Sequence, residues 1–350
     1  MRFTAFFHPL ARIATVTMLA ALTLAGCGST TPARPDAGTQ PALSSSAPPV
    51  RIGIALGGGA AKGFAHIGVI KMLEANGFAP AVVSGTSAGS VVGALYASGM
   101  NAFEMQEKAV ALDEAKIRDL QLSSGGLVLG QKLEDYVNEQ VRRKPLEQMA
   151  KPFVVVATRL EDGERTVFAR GNTGQAVRAS SSVPGVFQPV SIGKYHFVDG
   201  GIVSPVPVDA ARQLGADIVI AVDISNKARG QTPGDMLGTL GQSIAIMGQK
   251  LGQAELARAD VIIRPQVLDI GSADFSQRTN AILEGEKAAL AVMPQIRERV
   301  AQLQAERANA ARAAQQKAAE AQYQTCLEKR SSLQKLAGMA RLDDSCTAPK

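Results

Sequence analysis

Val82-Val83-Ser84-Gly85-Thr86-Ser87-Ala88-Gly89-Ser90 reads as the end of a strand, a sharp turn with Ser87 at its tip, and the start of a helix over Ala88 to Ser98. This G-x-S-x-G arrangement is a nucleophile elbow when strand and helix lie on these sides. Gly85 and Gly89 have a physical task in it, because a turn this tight brings strand and helix backbones too close for a Cβ at either position. The turn is expected to push Ser87 into the open, with its hydroxyl at a helix N-terminus where free N–H groups stabilise negative charge.

On the N-terminal side, Arg51 to Leu56 alternates Ile52, Ile54 and Leu56 with small residues, as a buried strand does. Gly57-Gly58-Gly59-Ala60-Ala61-Lys62-Gly63 follows, and then a helix with Ile67, Ile70 and Leu73 on one face, stopped by Asn76-Gly77. A strand, glycine loop and helix in this order can cradle phosphate, but both phosphate fingerprints fail. The dinucleotide motif needs glycine where Lys62 stands, and the P-loop needs Lys-Ser/Thr where Phe64-Ala65 stand. Consecutive unhindered N–H groups at a helix start also make an oxyanion hole beside a nucleophile. In a parallel sheet this loop and the elbow emerge at the same carboxyl edge.

On the C-terminal side, helices are expected over Asn101 to Ala115 and Gln131 to Arg143, separated by the Gly-rich apolar stretch Leu122 to Gly130. That stretch reads equally as a mobile cover or acyl-chain wall beside a site and as a packed loop. Phe153 to Leu160, the turn Asp162-Gly163 and Arg165 to Ala169 form a hairpin. Ala176 to Ser182 leads into the turn Val183-Pro184-Gly185-Val186-Phe187, and Tyr195 to Asp199 is a strand whose terminal acid is followed by Gly200-Gly201. Pro207 to Leu214 reads as a helix, and Asp217 to Asp223 and Val261 to Arg264 as strands. Alternating strands and helices predict a three-layer α/β/α sandwich with a mostly parallel sheet.

The two ends differ from this middle. Met1 to Gly26 carries Arg2 and Arg12, no acid, and an apolar run from Ile13 to Ala25 closing on Leu24-Ala25-Gly26-Cys27. Small residues directly before a cysteine resemble a bacterial lipoprotein signal peptide, with Cys27 lipidated; an ordinary signal peptide or an uncleaved anchor helix fits less well. Gly28 after the cysteine, rather than Asp, points to the periplasmic face of the outer membrane. Residues 27–49 read as a flexible tether rich in Pro, Ser, Thr and Ala. From Met293 the composition turns to Ala, Gln, Arg and Glu, with a thin apolar stripe of Ile296, Val300 and Leu303. The expected division is 1–26 leader, 27–49 tether, 50–293 catalytic domain and 294–350 helical extension, a solvated helix folded against the domain rather than a coiled coil.

The whole chain holds 37 basic and 31 acidic residues, a net of +6. Without residues 1–26 it keeps 35 basic residues, a net of +4, too little to argue for nucleic acid. Such a balance suits a solvated face or an anionic lipid surface. With Cys27 lipidated, Cys326 and Cys346 remain as an even pair for a disulfide in an oxidising compartment; two unpaired thiols are the alternative.

A serine nucleophile needs a base. Apart from His8 in the leader, the histidines are His66, on the helix after the glycine loop, and His196, on the strand leading to Asp199. No histidine follows Asp199, so the chain order of an α/β-hydrolase triad is broken. No His, Cys and Asp cluster has metal-ligand spacing, and no cofactor is implied. A Ser87–Asp199 dyad, with the acid placed by Gly200 and Gly201, is the economical arrangement left.

Over Val50 to Ser225 the chain resembles the bacterial patatin-like phospholipase family. The resemblance rests on Gly57 to Gly63, on Gly85-Thr86-Ser87-Ala88-Gly89, on Asp199-Gly200-Gly201, and on Arg178 to Phe187 before the aspartate. It implies Ser87 as nucleophile, Asp199 as base, and the amides around Gly58, Gly59 and Ala60 as oxyanion hole. Ala60 stands where plant-type members have glycine, and Lys62 occupies the family's basic position, to organise the loop or to meet a phosphate. The implied activity is phospholipase A-like or lysophospholipase-like acyl-ester hydrolysis, with a lipid substrate, no cofactor, and membrane attachment through Cys27. The competing readings are a non-catalytic envelope lipoprotein that acts by assembly, and a serine peptidase.

Overall fold

Ile52, Ile54 and Leu56 of strand β1 (Ile52–Leu56) join one apolar cluster, and Ala55 joins another on the opposite side. This is the period-two signature of a strand buried on both faces. Strand β7 (Ile218–Val222) repeats it, with Ile220 and Val222 on the first side and Val219 and Ala221 on the second. The computed structural model describes residues 48–113, 128–225, 227, 234–337 and 346. The leader, Cys27, most of the tether and the stretch 122–127 lie outside the described residues.

The remaining strands are β2 (Val82–Thr86), β3 (Phe153–Arg159), β4 (Arg165–Phe168), β5 (Val190–Ile192), β6 (Tyr195–Asp199) and β8 (Val261–Ile263). Pairing runs β5-β6-β3-β2-β1-β7-β8, with β4 as a further partner of β3. The ladders linking β3, β2, β1, β7 and β8 are parallel; those of β3 with β4 and β6, and of β5 with β6, are antiparallel. The mixed, mostly parallel sheet is as expected.

The two helical layers are unequal. The large cluster contains side chains of helices α1 (Phe64–Ala75), α2 (Ala88–Ala97), α3 (Ala102–Val110), α4 (Gln131–Gln140) and α5 (Thr173–Ser180). The opposite face is covered by the six-residue α6 (Val208–Gln213) and by Leu256 at the end of α7 (Met236–Leu256). Helix α7 had no counterpart in the sequence reading. Its apolar residues recur at helical spacing, but four glycines within the helix lower the intrinsic helix propensity of the stretch.

Helix α8 (Arg278–Ala337) runs straight through the border expected at 293/294, with Pro294 inside it. Ala281, Ile282, Ala289, Met293 and Ile296 are buried in the large cluster, whereas beyond Arg307 the helix is mostly exposed. The change of composition therefore marks where the helix leaves the core, and not where an element ends. Its inner face meets α1 backbone to backbone: a Cβ on Gly68 would come 2.0 Å from the Ile282 carbonyl oxygen, and one on Gly285 2.0 Å from that of Ala65. Further along, Arg299 reaches Asp260 at 3.2 Å and Arg307 pairs with Asp217. Cys326 and Cys346 are bonded to each other.

Candidate active site

Strand β3 brings the two halves of the site together. Residues 155–158 of β3 pair with β4 on one edge, so β2 (through Thr86↔Val156) and β6 (through Asp199↔Ala157) share the other. Because β2 runs parallel to β3 and β6 antiparallel, their carboxyl ends meet head to head on neighbouring rungs. Residues 112 positions apart are thereby placed in contact: the Ser87 hydroxyl donates to Asp199 Oδ2 at 2.6 Å. Gly200 makes the junction possible, since a Cβ there would lie 2.1 Å from the Val156 carbonyl oxygen.

Ser87 sits at φ 53° and ψ −125°, outside the regions an L-residue prefers, at a cost of roughly 1–3 kcal/mol. The surroundings hold it there. Its N–H donates to Ser180 Oγ at 2.8 Å, and the Ser180 hydroxyl donates to the Val156 carbonyl at 2.5 Å. Gly85 and Gly89 each permit a close backbone approach. A Cβ on Gly85 would lie 2.6 Å from Ser90 Cα, and one on Gly89 2.1 Å from the Leu56 carbonyl oxygen, so Gly89 seats the helix on β1 rather than on its own strand. The expectation of an open turn tip needs correcting. Ser87 is 8% exposed and Asp199 7%, because the glycine loop, Ser180 and the Gly200-Gly201 turn enclose them.

That enclosure sets the electrostatics. Burial raises the Asp199 carboxyl to about 6, opposed by the hydrogen bonds from Ser87 and from Gly201 N–H. The latter reaches Oδ1 at 2.7 Å. The aspartate is therefore ionised at neutral pH yet far more basic than in water, and it points one oxygen at the serine proton. Thr158 Oγ1 donates to the Asp199 carbonyl at 2.8 Å and fixes its backbone.

The glycine loop lies beside the pair: a Cβ on Gly58 would stand 3.1 Å from Ser87 Cβ. The expected set of three amides is corrected at one position. Gly58 N–H donates to the Pro205 carbonyl at 3.0 Å, as Gly57 N–H does to Val222. Ala61 N–H donates to Ser272 and Lys62 N–H to Gly59. Among the described residues no acceptor is found for the amides of Gly59 and Ala60. Ala60 takes φ 53°, which aims its backbone away from regular structure. The Lys62 side chain is buried.

Neither histidine serves the serine. His196 is exposed, with Nδ1 2.8 Å from Glu161 Oε1. His66 is fully buried, and burial lowers it to about 4, so it is neutral; its Nε2–H donates to the Gly57 carbonyl at 2.8 Å and braces the root of the loop. Among the described residues no group of three or more His, Cys, Asp or Glu is placed to hold a metal ion.

Three supporting residues escaped the sequence reading. Ser180 braces the elbow, and nothing in its local pattern distinguishes it from Ser181 or Ser182. Thr86 Oγ1 donates to the Ser204 carbonyl at 2.8 Å. Glu255, raised by burial to about 7, accepts from Val206 N–H at 2.8 Å and from the Ser204 hydroxyl. These bonds pin the Ser204–Val206 segment whose Pro205 carbonyl holds Gly58. A lone acid in an otherwise acid-free helix was the available signal for Glu255.

The chain can now be placed beside known proteins. The profile described as patatin-like phospholipase matches residues 54–212. An uncharacterised NTE family protein of Mycobacterium tuberculosis is 35% identical over 182 residues, 51% of this chain and 51% of that one. Patatin-like phospholipase domain-containing protein 6 of Homo sapiens is 32% identical over 184 residues, 50% of this chain and 13% of that one. The chain thus spans about half the length of the mycobacterial relative and far less of the human one. Among solved structures, VipD from Legionella pneumophila superposes with a TM-score of 0.46 at 17% identity, over 71% of this chain and 67% of that one.

Proposed function

We propose that the chain, whose residues 54–212 match the patatin-like phospholipase profile, is a lipid acyl-ester hydrolase working through a Ser87–Asp199 dyad. The observation that carries this reading is the 2.6 Å hydrogen bond from a strained, enclosed serine to a carboxylate raised to about 6. Asp199 takes the proton as Ser87 Oγ forms a bond to the acyl carbon of the ester. The carbonyl π electrons move to oxygen, and the oxyanion is received by the amides of Gly59 and Ala60 at the start of a helical turn. Collapse of the tetrahedral adduct breaks the ester C–O bond, and the departing alkoxide takes the proton from Asp199. Water, deprotonated by the same carboxylate, then releases the acyl group from Ser87 as a fatty acid.

Phospholipase A-like or lysophospholipase-like turnover is the substrate class proposed. Attachment through a lipidated Cys27 at the periplasmic face of the outer membrane would hold the domain beside such substrates. The test is hydrolysis of a panel of phospholipids, lysophospholipids, neutral esters and peptides by the parent and by Ser87→Ala. Fatty-acid release lost in the variant supports the reading. Peptide turnover alone would make the chain a peptidase, and inertness of the folded parent toward every substrate would favour an assembly role.

A further inference from the structure

Helix α7 crosses beside the dyad and leaves an apolar stripe uncovered. Met236, Leu240, Ile244, Met247 and Leu251 recur at spacings of three and four, within an arc of about 80° at 100° per residue. Met236 is 82% exposed, Met247 50%, Leu240 41% and Leu251 40%, and Ile246 at the flank is 46% exposed. The adjoining face, which carries Gly248 and Gly252, brings the helix close to the site. A Cβ on Gly248 would lie 3.7 Å from the Gly201 carbonyl oxygen, two residues past Asp199, and one on Gly252 3.4 Å from Pro205 Cγ. Glu255 ties the C-terminal end of the helix to Ser204 and Val206. Within the helix, Lys250 is the exposed charge.

We propose that this stripe of α7 is the surface by which the domain seats on a phospholipid bilayer, with its apolar side chains at the headgroup–acyl boundary and the dyad held over the lipid. The proposal rests on the lipid-hydrolase reading for its choice of occupant. A second copy of the chain fits the stripe less well. A helix of 21 residues is roughly 31 Å long, so a stripe about 10 Å wide covers on the order of 300 Å², well short of the ~800 Å² per partner of a stable interface. Partial immersion of one helix face needs no such area, because interfacial helices bury their apolar side only about 5–10 Å deep. No helix of the described residues is long and apolar enough to cross a membrane, so α7 would lie on the surface.

The chain contains no tryptophan, so one introduced residue reports its own surroundings. Met247→Trp in the full chain, bound to phosphatidylcholine vesicles, is expected to shift its emission to the blue and to be quenched by roughly half when brominated phosphatidylcholine replaces the ordinary lipid, given the shallow depth of such a helix. Gln324→Trp, exposed on α8, is expected to keep its emission under the same conditions. Leu251→Trp repeats the measurement should Met247→Trp fail to fold. Quenching absent at both α7 positions, or equal at positions 247 and 324, overturns the proposal. So does a blue-shifted, unquenched signal from a sedimenting dimer, which would assign the stripe to a second copy. Fluorescence needs no turnover, so an inert parent that still shows quenching at position 247 would defeat the lipid-hydrolase reading alone.

Discussion

Asp199 carries two opposed demands, and their conflict is measurable. Its folded-state value of about 6 lies above the ordinary 3.8, so the protonated form is favoured by the fold. The stability this contributes is full below the ordinary value and is lost as pH rises through about 6, while the proton acceptor exists only above about 6. A pH profile of kcat/KM is therefore expected to rise through a midpoint near 6 and then level; a profile flat from pH 5 to 8 would contradict Asp199 as base. Asp199→Asn is expected to lower kcat by about 10²–10⁴, because an amide cannot take the Ser87 proton. In urea at pH 8 the same variant should be no less stable than the parent, since it removes a buried charge. Activity within tenfold of the parent would remove Asp199 from the mechanism.

At the scale of elements, the site depends on how closely backbones approach. Gly89→Ala would force a Cβ to 2.1 Å from the Leu56 carbonyl oxygen and part α2 from β1. A loss of about 1–3 kcal/mol is expected from overpacking of this kind, read as a lower urea midpoint with a proportionate loss of turnover; an unchanged midpoint would deny the contact. The same closeness explains what was legible in the sequence. Glycines at fixed offsets around Ser87 and before α1, together with period-two strands, announced β1, β2, β3 and β7 and the two turns between them. The pairing of β2 and β6 end to end on β3 has no local signature, and so neither does the Ser180 brace. Gly58 illustrates the limit: its place in the loop was readable, but its commitment to Pro205 depends on a segment 147 residues away that Glu255 holds from α7. Helix α7 went unread because its four glycines signal a loop despite the helical spacing of its apolar residues.

At the scale of the described molecule, α8 runs from the apolar core to the segment that carries Cys326. Its first turns are core, and its last described ones carry Cys326, bonded to Cys346. That bond closes a segment with a sequence separation of 20 and should contribute roughly 3 kcal/mol to the order of this end by restricting the unfolded chain. Cys346→Ser is expected to leave ester hydrolysis nearly unchanged while speeding limited proteolysis after about residue 310; equal proteolysis of parent and variant would show that the bond constrains nothing. The proposed lipidation of Cys27 would bear on where the molecule works, whereas the proposed chemistry belongs to Ser87 and its partner. The most direct test of that chemistry is labelling with a fluorophosphonate followed by peptide mass mapping. The account predicts one adduct, on the peptide containing Ser87, strongly slowed in Asp199→Asn and absent in Ser87→Ala. An adduct on any other serine, or a folded parent that takes up no label, would contradict it.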